Sequence, residues 1–247
     1  MQIMRKTFIQ FLHRIGLYQP VRWLYTRCVS YSWRAYSFLT GRDRAIVQTY
    51  LTRHDVRKLH LGCGLNYLSG WLNTDLFPNE HRVHLNVTKR FPYPDNTFDF
   101  IYSEHMIEHL LFAAGRNMLS ECFRVLKPNG VMRLVTPDFR FLLNLYLDPD
   151  KPLHRDYIEW NSDLFVKDEA PHNALSVINN YVRDWGHQYI YDVPILRKTL
   201  SAIGFRDIEE RLLGESLHSD LQKLEHESRH PAGFLALESL VLEAKKV

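Results

Sequence analysis

The sequence predicts an α/β fold: a mostly parallel sheet of seven strands with helices on both faces, preceded by a helical amino-terminal segment. Three observations predict it. From Val56 onward, short apolar runs that end on Gly, Asp or Pro alternate with helical stretches, the pattern of strand–helix–strand units. One such run leads directly into Gly62-Cys63-Gly64. Residues 1–58 hold eleven Lys or Arg against two acids, Asp43 and Asp55, a net of +9, whereas the remainder carries 20 basic against 26 acidic residues, a net of −6.

The elements follow in order. Met4, Phe8, Phe11, Leu12 and Ile15 fall at helical spacing, and Gly16 is a stop. A second helix begins at Pro20, with Leu24, Cys28, Tyr31, Ala35 and Phe38 on one face and arginines on the others, and Gly41 ends it. The apolar faces of these helices are expected to cover the body of the protein; contact with an anionic membrane or a partner is the alternative. Strands are expected at 58–61, 70–75, 83–87, 98–103 and 131–136, with helices at 106–112 and 117–126. Residues 139–190, rich in Pro, Asn, Asp, His and aromatics, read as an insertion with short helices over the site. A helix at 193–203 and strands near 208–213 and 239–244 complete the domain. The expected division is therefore 1–55, basic and helical, and 56–247, one α/β domain.

Composition excludes several classes. At 247 residues, 45% hydrophobic and 24% charged, the chain is not disordered, collagenous or a coiled coil. Three cysteines, Cys28, Cys63 and Cys122, argue against a secreted disulfide framework. No apolar run reaches a membrane-spanning length, and the amino terminus lacks a signal-peptide pattern, so a cytoplasmic location is expected, with peripheral contact at the inner face of a membrane left open.

The two glycines after the first strand allow a tight turn and close approach of a ligand to the backbone amides. Position 67 is Tyr, so the third glycine of a dinucleotide motif is missing. Asp75, ending the next strand, is placed to accept hydrogen bonds from ribose hydroxyls. Only residues 62–69 join the two strands, too few for a crossover helix, which argues against a typical NAD-binding unit. His105-Met106-Ile107-Glu108-His109 matches H-x-x-E-H, whose two histidines on one helix face suit zinc.

Leu61-Gly62-Cys63-Gly64, Gly70-Trp71-Leu72-Asn73-Thr74-Asp75, residues 91–101 (FPYPDNTFDFI), His105-Met106-Ile107-Glu108-His109-Leu110 and residues 121–130 (ECFRVLKPNG) together resemble class I S-adenosylmethionine-dependent methyltransferases of the type 11 group. The resemblance is dense over 56–138 and returns at 200–205 and 238–245. It implies a Rossmann-like fold with S-adenosylmethionine as cofactor. Gly62, Cys63 and Gly64 would pass the methionine moiety, Asp75 would hold the ribose, and Leu76 or Phe77 would pack on the adenine. Asn86 stands near where the family often has an acid serving that base. Ser103, Glu104 and His105 would lie beneath the sulfonium. The same family pattern predicts Glu108-His109 without metal, so no metal is expected.

For the acid–base step the candidates are His187, in Trp185-Gly186-His187-Gln188-Tyr189-Ile190-Tyr191-Asp192, Asp138 after strand five, and His105. The expected activity is methyl transfer to a small polar acceptor such as a sugar or lipid-linked saccharide. Nucleic acid is disfavoured because the presumed catalytic domain is acidic. A non-catalytic cofactor-binding or scaffold protein, and more remotely a zinc hydrolase, are the rival classes.

Overall fold

The computed structural model describes residues 18–166 and 170–247, so the helix expected over Met4 to Ile15 lies outside the described residues. Along the chain run α1 (Tyr18–Thr40), α2 (Arg42–Arg53), β1 (Lys58–Leu61), β2 (Leu72–Asp75), β3 (Val83–His84), β4 (Phe98–Glu104), α3 (Phe112–Val125) and β5 (Leu126–Pro137). Then follow α4 (Phe139–Leu147), α5 (Pro152–Phe165), α6 (Ala174–Arg183), α7 (Val193–Ile203), β6 (Phe205–Glu210), α8 (Phe234–Glu238) and β7 (Ser239–Lys246).

The strands form one sheet in the order β3-β2-β1-β4-β5-β7-β6. The pairs from β3 to β5 are parallel, and β7 runs antiparallel to both β5 and β6. The fold is Rossmann-like. Parallel pairing puts the carboxyl ends of β1, β2 and β4 on one edge, where Leu61 stands beside Ser103. As the short connection implies, no helix intervenes between β1 and β2.

One face of the sheet buries Leu59, Leu61, Ile101, Met132 and Leu134 against α3 and α7. Helix α7 is set by its ends: Asp192 caps it by accepting from the Ile195 amide at 2.8 Å, and Gly204, at φ 127°, stops it. The opposite face, with Trp71, Tyr102, Val135 and Val241, is covered by Leu213, Leu221 and Leu224 from the segment 211–230. That segment is pinned by charge. Arg133 of β5, fully buried, pairs with Glu225 at 2.6 Å and with Glu243 of β7 at 2.8 Å, and donates to the Glu215 carbonyl at 2.7 Å. Lys58 reaches Asp220 at 2.9 Å.

Residues 139–190, expected as an insertion, hold α4, α5 and α6, which with α8 enclose a second core of Phe141, Leu142, Leu145, Tyr157, Val177 and Phe234. Strand β6 starts three residues earlier than its sequence pattern suggests. Its register shifts between Arg206 and Glu209, with Asp207 at φ 47°, so buried Phe205 and Ile208 do not alternate. The expected helix over 106–112 is likewise replaced by a single 3₁₀ turn, Ile107–His109. The Glu108 carbonyl, which a helix would have used internally, accepts instead from the Gln188 and Tyr189 amides at 2.7 and 3.2 Å.

At the amino-terminal end, α2 packs on the sheet. Its Tyr50 hydroxyl donates to the Lys58 carbonyl at 2.9 Å, and its Asp43 accepts from the His84 amide at 3.1 Å. Among its described side chains helix α1 does not cover the body along the face read from its sequence: Cys28, Tyr31, Ala35 and Phe38 are exposed, Phe38 by 87%. Gly41, at φ 66°, turns the chain out of α1 and sends α2 alone along the sheet. Among the described residues no helix is long and apolar enough to cross a membrane.

Replacing Arg133 by Met removes the cation from two buried carboxylates. The variant is expected to lose about 3–5 kcal/mol of stability, the cost of breaking a buried ion pair from one side, in equilibrium urea unfolding. A change below about 1 kcal/mol would show that this network does not hold the 211–230 segment down.

Candidate active site

The carboxyl edge of β1 and β2 carries a glycine turn held by a carboxylate. Gly62 and Gly64 have φ of 61° and 53°. At Gly62 a side chain is excluded twice, by that left-handed backbone and because a Cβ would lie 2.4 Å from Cγ of Met106. A Cβ on Gly64 would meet nothing within 4 Å, so this glycine borders open space. Asp75 accepts from the Gly64 amide through Oδ2 at 3.0 Å and from the Phe77 amide through Oδ1 at 2.9 Å. Arg82 lies 3.9 Å from the same carboxylate; its guanidinium donates to the Gly64 carbonyl and, through Nε at 2.5 Å, to the Phe77 carbonyl. Burial pushes the Cys63 thiol up to about 12, with the Asp75 charge adding to it, so this cysteine is not a nucleophile.

Other residues expected at this edge are dispersed in role. Leu76 is exposed, and its carbonyl contacts His84 Nδ1 at 3.0 Å. Asn86 closes its own turn, accepting from the Thr88 amide and hydroxyl at 3.0 and 2.8 Å. Ser103 is fully buried, and its hydroxyl has no hydrogen-bond partner among the described residues. Glu104 joins two loops: it accepts from Asn66 Nδ2 at 3.2 Å and from the His226 amide at 3.0 Å.

Beyond β4 opens a cavity of about 310 Å³. Glu104, His105, Glu108 and His109 border it from the sheet edge, the rings of Tyr157, Trp160, Tyr181 and Trp185 with His187 from the insertion, and His226, His230 and Glu238 from the chain before β7. His105 is held at φ 45°, a backbone strain that turns its ring between Glu108 and Ser239, with Nε2 at 2.9 Å from the Ser239 hydroxyl. Burial works against its protonation, yet the Glu108 carboxylate, 3.5 Å from Nδ1, lifts its pKa above the ordinary value. Glu108 is fully buried; burial opposes its charge, but His105 and His109 hold its carboxyl below the usual range. Burial raises Glu238, which takes the Tyr157 hydroxyl at 2.5 Å.

His187 is fixed by its neighbours. Its Nδ1 lies 2.6 Å from the Tyr181 carbonyl, which only accepts, so Nδ1 carries the proton and Nε2 is the free basic nitrogen. Trp185 and Gly186, at φ 58° and 82°, form the kink that delivers it, and its ring stands 5.1 Å from that of His109. Burial depresses its pKa, so the imidazole is neutral at pH 7. Asp138 sits elsewhere. It caps α4, accepting from the Arg140 amide at 2.9 Å and from Arg140 Nε at 2.7 Å, and it does not border the cavity.

Residues 73–134 match the family model described as a methyltransferase domain. Over that stretch the chain is similar to a methyltransferase domain. The sequence finds no match among curated proteins. Among solved structures it is similar to a SAM-dependent methyltransferase from Archaeoglobus fulgidus, at 16% identity and TM-score 0.46 over 85% of this chain and 94% of that one. It is also similar to a SAM-dependent methyltransferase, possible histamine N-methyltransferase, from Thermotoga maritima, at 17% identity and TM-score 0.45 over 91% and 98% of the two chains. A third similar structure is Haemonchus contortus phosphoethanolamine N-methyltransferase 2 with S-adenosyl-L-methionine, at 14% identity and TM-score 0.45 over 83% of this chain and 52% of that one.

The matched stretch contains Asp75, Glu104, His105, Glu108 and His109; the glycine turn and His187 lie outside it. Four polar residues at or near the two edges were not singled out in the sequence: Arg82, His226, His230 and Glu238. Arg82 is one of several arginines without a motif, and the other three reach the cavity only because the 211–230 segment and α8 fold back over the sheet.

Proposed function

We propose that this chain transfers the methyl group of S-adenosylmethionine to a hydroxyl of a small polar acceptor, with a sugar or lipid-linked saccharide as the acceptor class. The observation that carries the reading is the cavity that opens beyond the carboxyl end of β4, lined by flat aromatic rings and by a neutral histidine with a free Nε2. It adjoins the glycine turn, since Gly62 abuts Met106, the residue after His105. S-adenosylmethionine supplies an electrophilic methyl group on a sulfonium. The residues here fit it: Gly64 borders open space, and each Asp75 oxygen, though it accepts one amide, keeps lone pairs for ribose hydroxyls. The rings of Trp160 and Trp185 offer stacking surfaces to a sugar. His187 Nε2 would take the acceptor hydroxyl's proton as the methyl group is transferred to it. Holding the two reactants in line supplies much of the rate.

Asp75→Ala is expected to weaken S-adenosylmethionine binding by about 1.5–3 kcal/mol in isothermal titration, with the fold retained. Unchanged affinity would remove the ribose role. His187→Ala should lower turnover by roughly 10²–10⁴-fold while cofactor affinity stays constant, read as S-adenosylhomocysteine release on sugar-nucleotide and lipid extracts. Because His187 works in its neutral form and burial depresses its pKa, the wild-type rate should fall only as pH drops below about 6.5. Normal turnover of the variant at neutral pH would return His187 to a packing role.

We further infer peripheral contact of α1 with an anionic membrane. Tyr31, Tyr36, Phe38 and Leu39 are exposed on this helix, beside Arg34. The intact protein should co-sediment with phosphatidylserine-containing vesicles, less so as salt rises, and F38D/L39D should abolish it. An intact protein that ignores such vesicles at low salt would end this reading.

A further inference from the structure

The H-x-x-E-H stretch is only partly used by methyl transfer. His105 turns toward Ser239, but Glu108 and His109 acquire a third neighbour that lies far away in sequence, His187. One ligand atom from each of Glu108, His109 and His187 lies within 4.8 Å of the others. The Glu108 Oε1 atom is buried and accepts no hydrogen bond of normal geometry among the described residues; its nearest partners are His105 Nδ1 at 3.5 Å and His109 Nε2 at 3.9 Å. A fully buried carboxylate oxygen held only by such long contacts is incompletely satisfied, and a cation between Glu108 and His109 would complete it.

The outer contacts point the same way. Glu108 Oε2 accepts from the Thr136 hydroxyl at 3.1 Å, and His187 Nδ1 is fixed on the Tyr181 carbonyl. Two of the three ligands, Glu108 and His187, thus have their second polar atom tied to the protein, which orients a carboxylate and an imidazole toward a metal. The turn that carries Glu108 and the strand-like chain that carries His187 are joined directly through the Glu108 carbonyl and the Gln188 amide, so the ligands keep their spacing. His109, the exposed member, has the freedom to swing inward to the roughly 2.0–2.2 Å of a coordinate bond.

We propose that Glu108, His109 and His187 form a site for one divalent cation of the zinc class, with an open coordination position turned toward the cavity. Two imidazoles and one carboxylate are a donor set that Zn²⁺ and its neighbours accept, and three protein ligands leave room for a further oxygen. What the cation does there rests on the acceptor-pocket reading: a hydroxyl that coordinates it is held and acidified where His187 otherwise acts as base, and its proton passes to solvent. Whether the cation binds does not depend on that reading.

The test uses the full chain, stripped with a chelator and then titrated with Co²⁺ and Zn²⁺ in the absence of S-adenosylmethionine and acceptor. One equivalent should bind, and the Co²⁺ form should show visible absorption of a low-coordinate nitrogen and oxygen site without a thiolate band. His109→Ala and His187→Ala should each weaken binding at least tenfold, whereas H172A, at an exposed histidine of the insertion, should not. The two histidine variants carry the test because Glu108→Gln, at a buried position, can fail by unfolding. Absence of saturable binding by the wild type, or equal binding by His109→Ala and His187→Ala, would overturn the proposal. S-adenosylmethionine titration of the same samples keeps the two readings apart: a protein that binds cation but no S-adenosylmethionine would sink methyl transfer and leave the metal site standing.

Discussion

The second face of the sheet has to be buried without the helix that a longer β1–β2 connection would have supplied, and Arg133 is the means. Its guanidinium lies in the sheet between Glu243 on the neighbouring strand and Glu225 on the segment 211–230. The apolar contacts of Leu213, Leu221 and Leu224 on that face are too few to make the segment's position self-evident. A buried cation shared by two carboxylates is exacting about geometry, because each unpaired charge would cost several kcal/mol. The same anchoring carries functional parts. With the segment down, the His226 amide reaches Glu104, the Leu224 carbonyl receives Asn66 from the loop after the glycine turn, and His230 comes to stand beside Glu238.

A second joint connects the sheet to the insertion. Glu108 is fully buried at the end of β4, with its side chain on Thr136 of β5 and its carbonyl on the amides of Gln188 and Tyr189. The carboxylate's charge is sustained by histidines on either side, so burial, charge and backbone pairing converge on one residue. This joint brings His187 from the far end of a separate helical core to the sheet edge. Two left-handed residues, Trp185 and Gly186, are the conformational cost of that delivery.

At the glycine turn, electrostatics and backbone geometry also act together. Asp75 gathers the amides of Gly64 and Phe77, and Arg82 on the β3 side balances its charge and holds the carbonyls of the same two residues. The turn is therefore preformed, and a ligand approaching Gly64 meets oriented groups that need no rearrangement.

Much of this was legible in the sequence. The strand at 58–61, the turn at Gly62 and Gly64, the acid at 75, and the helix from Val193 to Ile203 are local matters, decided by periodicity and φ preference. The charge division along the chain is likewise a property of composition. Tertiary structure alone decided the rest. Asp138 and His187 are equally plausible acids and bases by residue type; the fold turns one into a helix cap and gives the other a free Nε2 in a cavity. Leu24 to Phe38 reads as a covering face, yet Gly41 swings α2, not α1, onto the sheet. His105 and His109 have helical spacing in the sequence, but the demand for the Glu108 carbonyl by a distant backbone replaces the helix with one turn and adds His187 to the histidines around the glutamate. In each case the deciding partner lies far along the chain, and no local pattern encodes which of several competent groups it will meet.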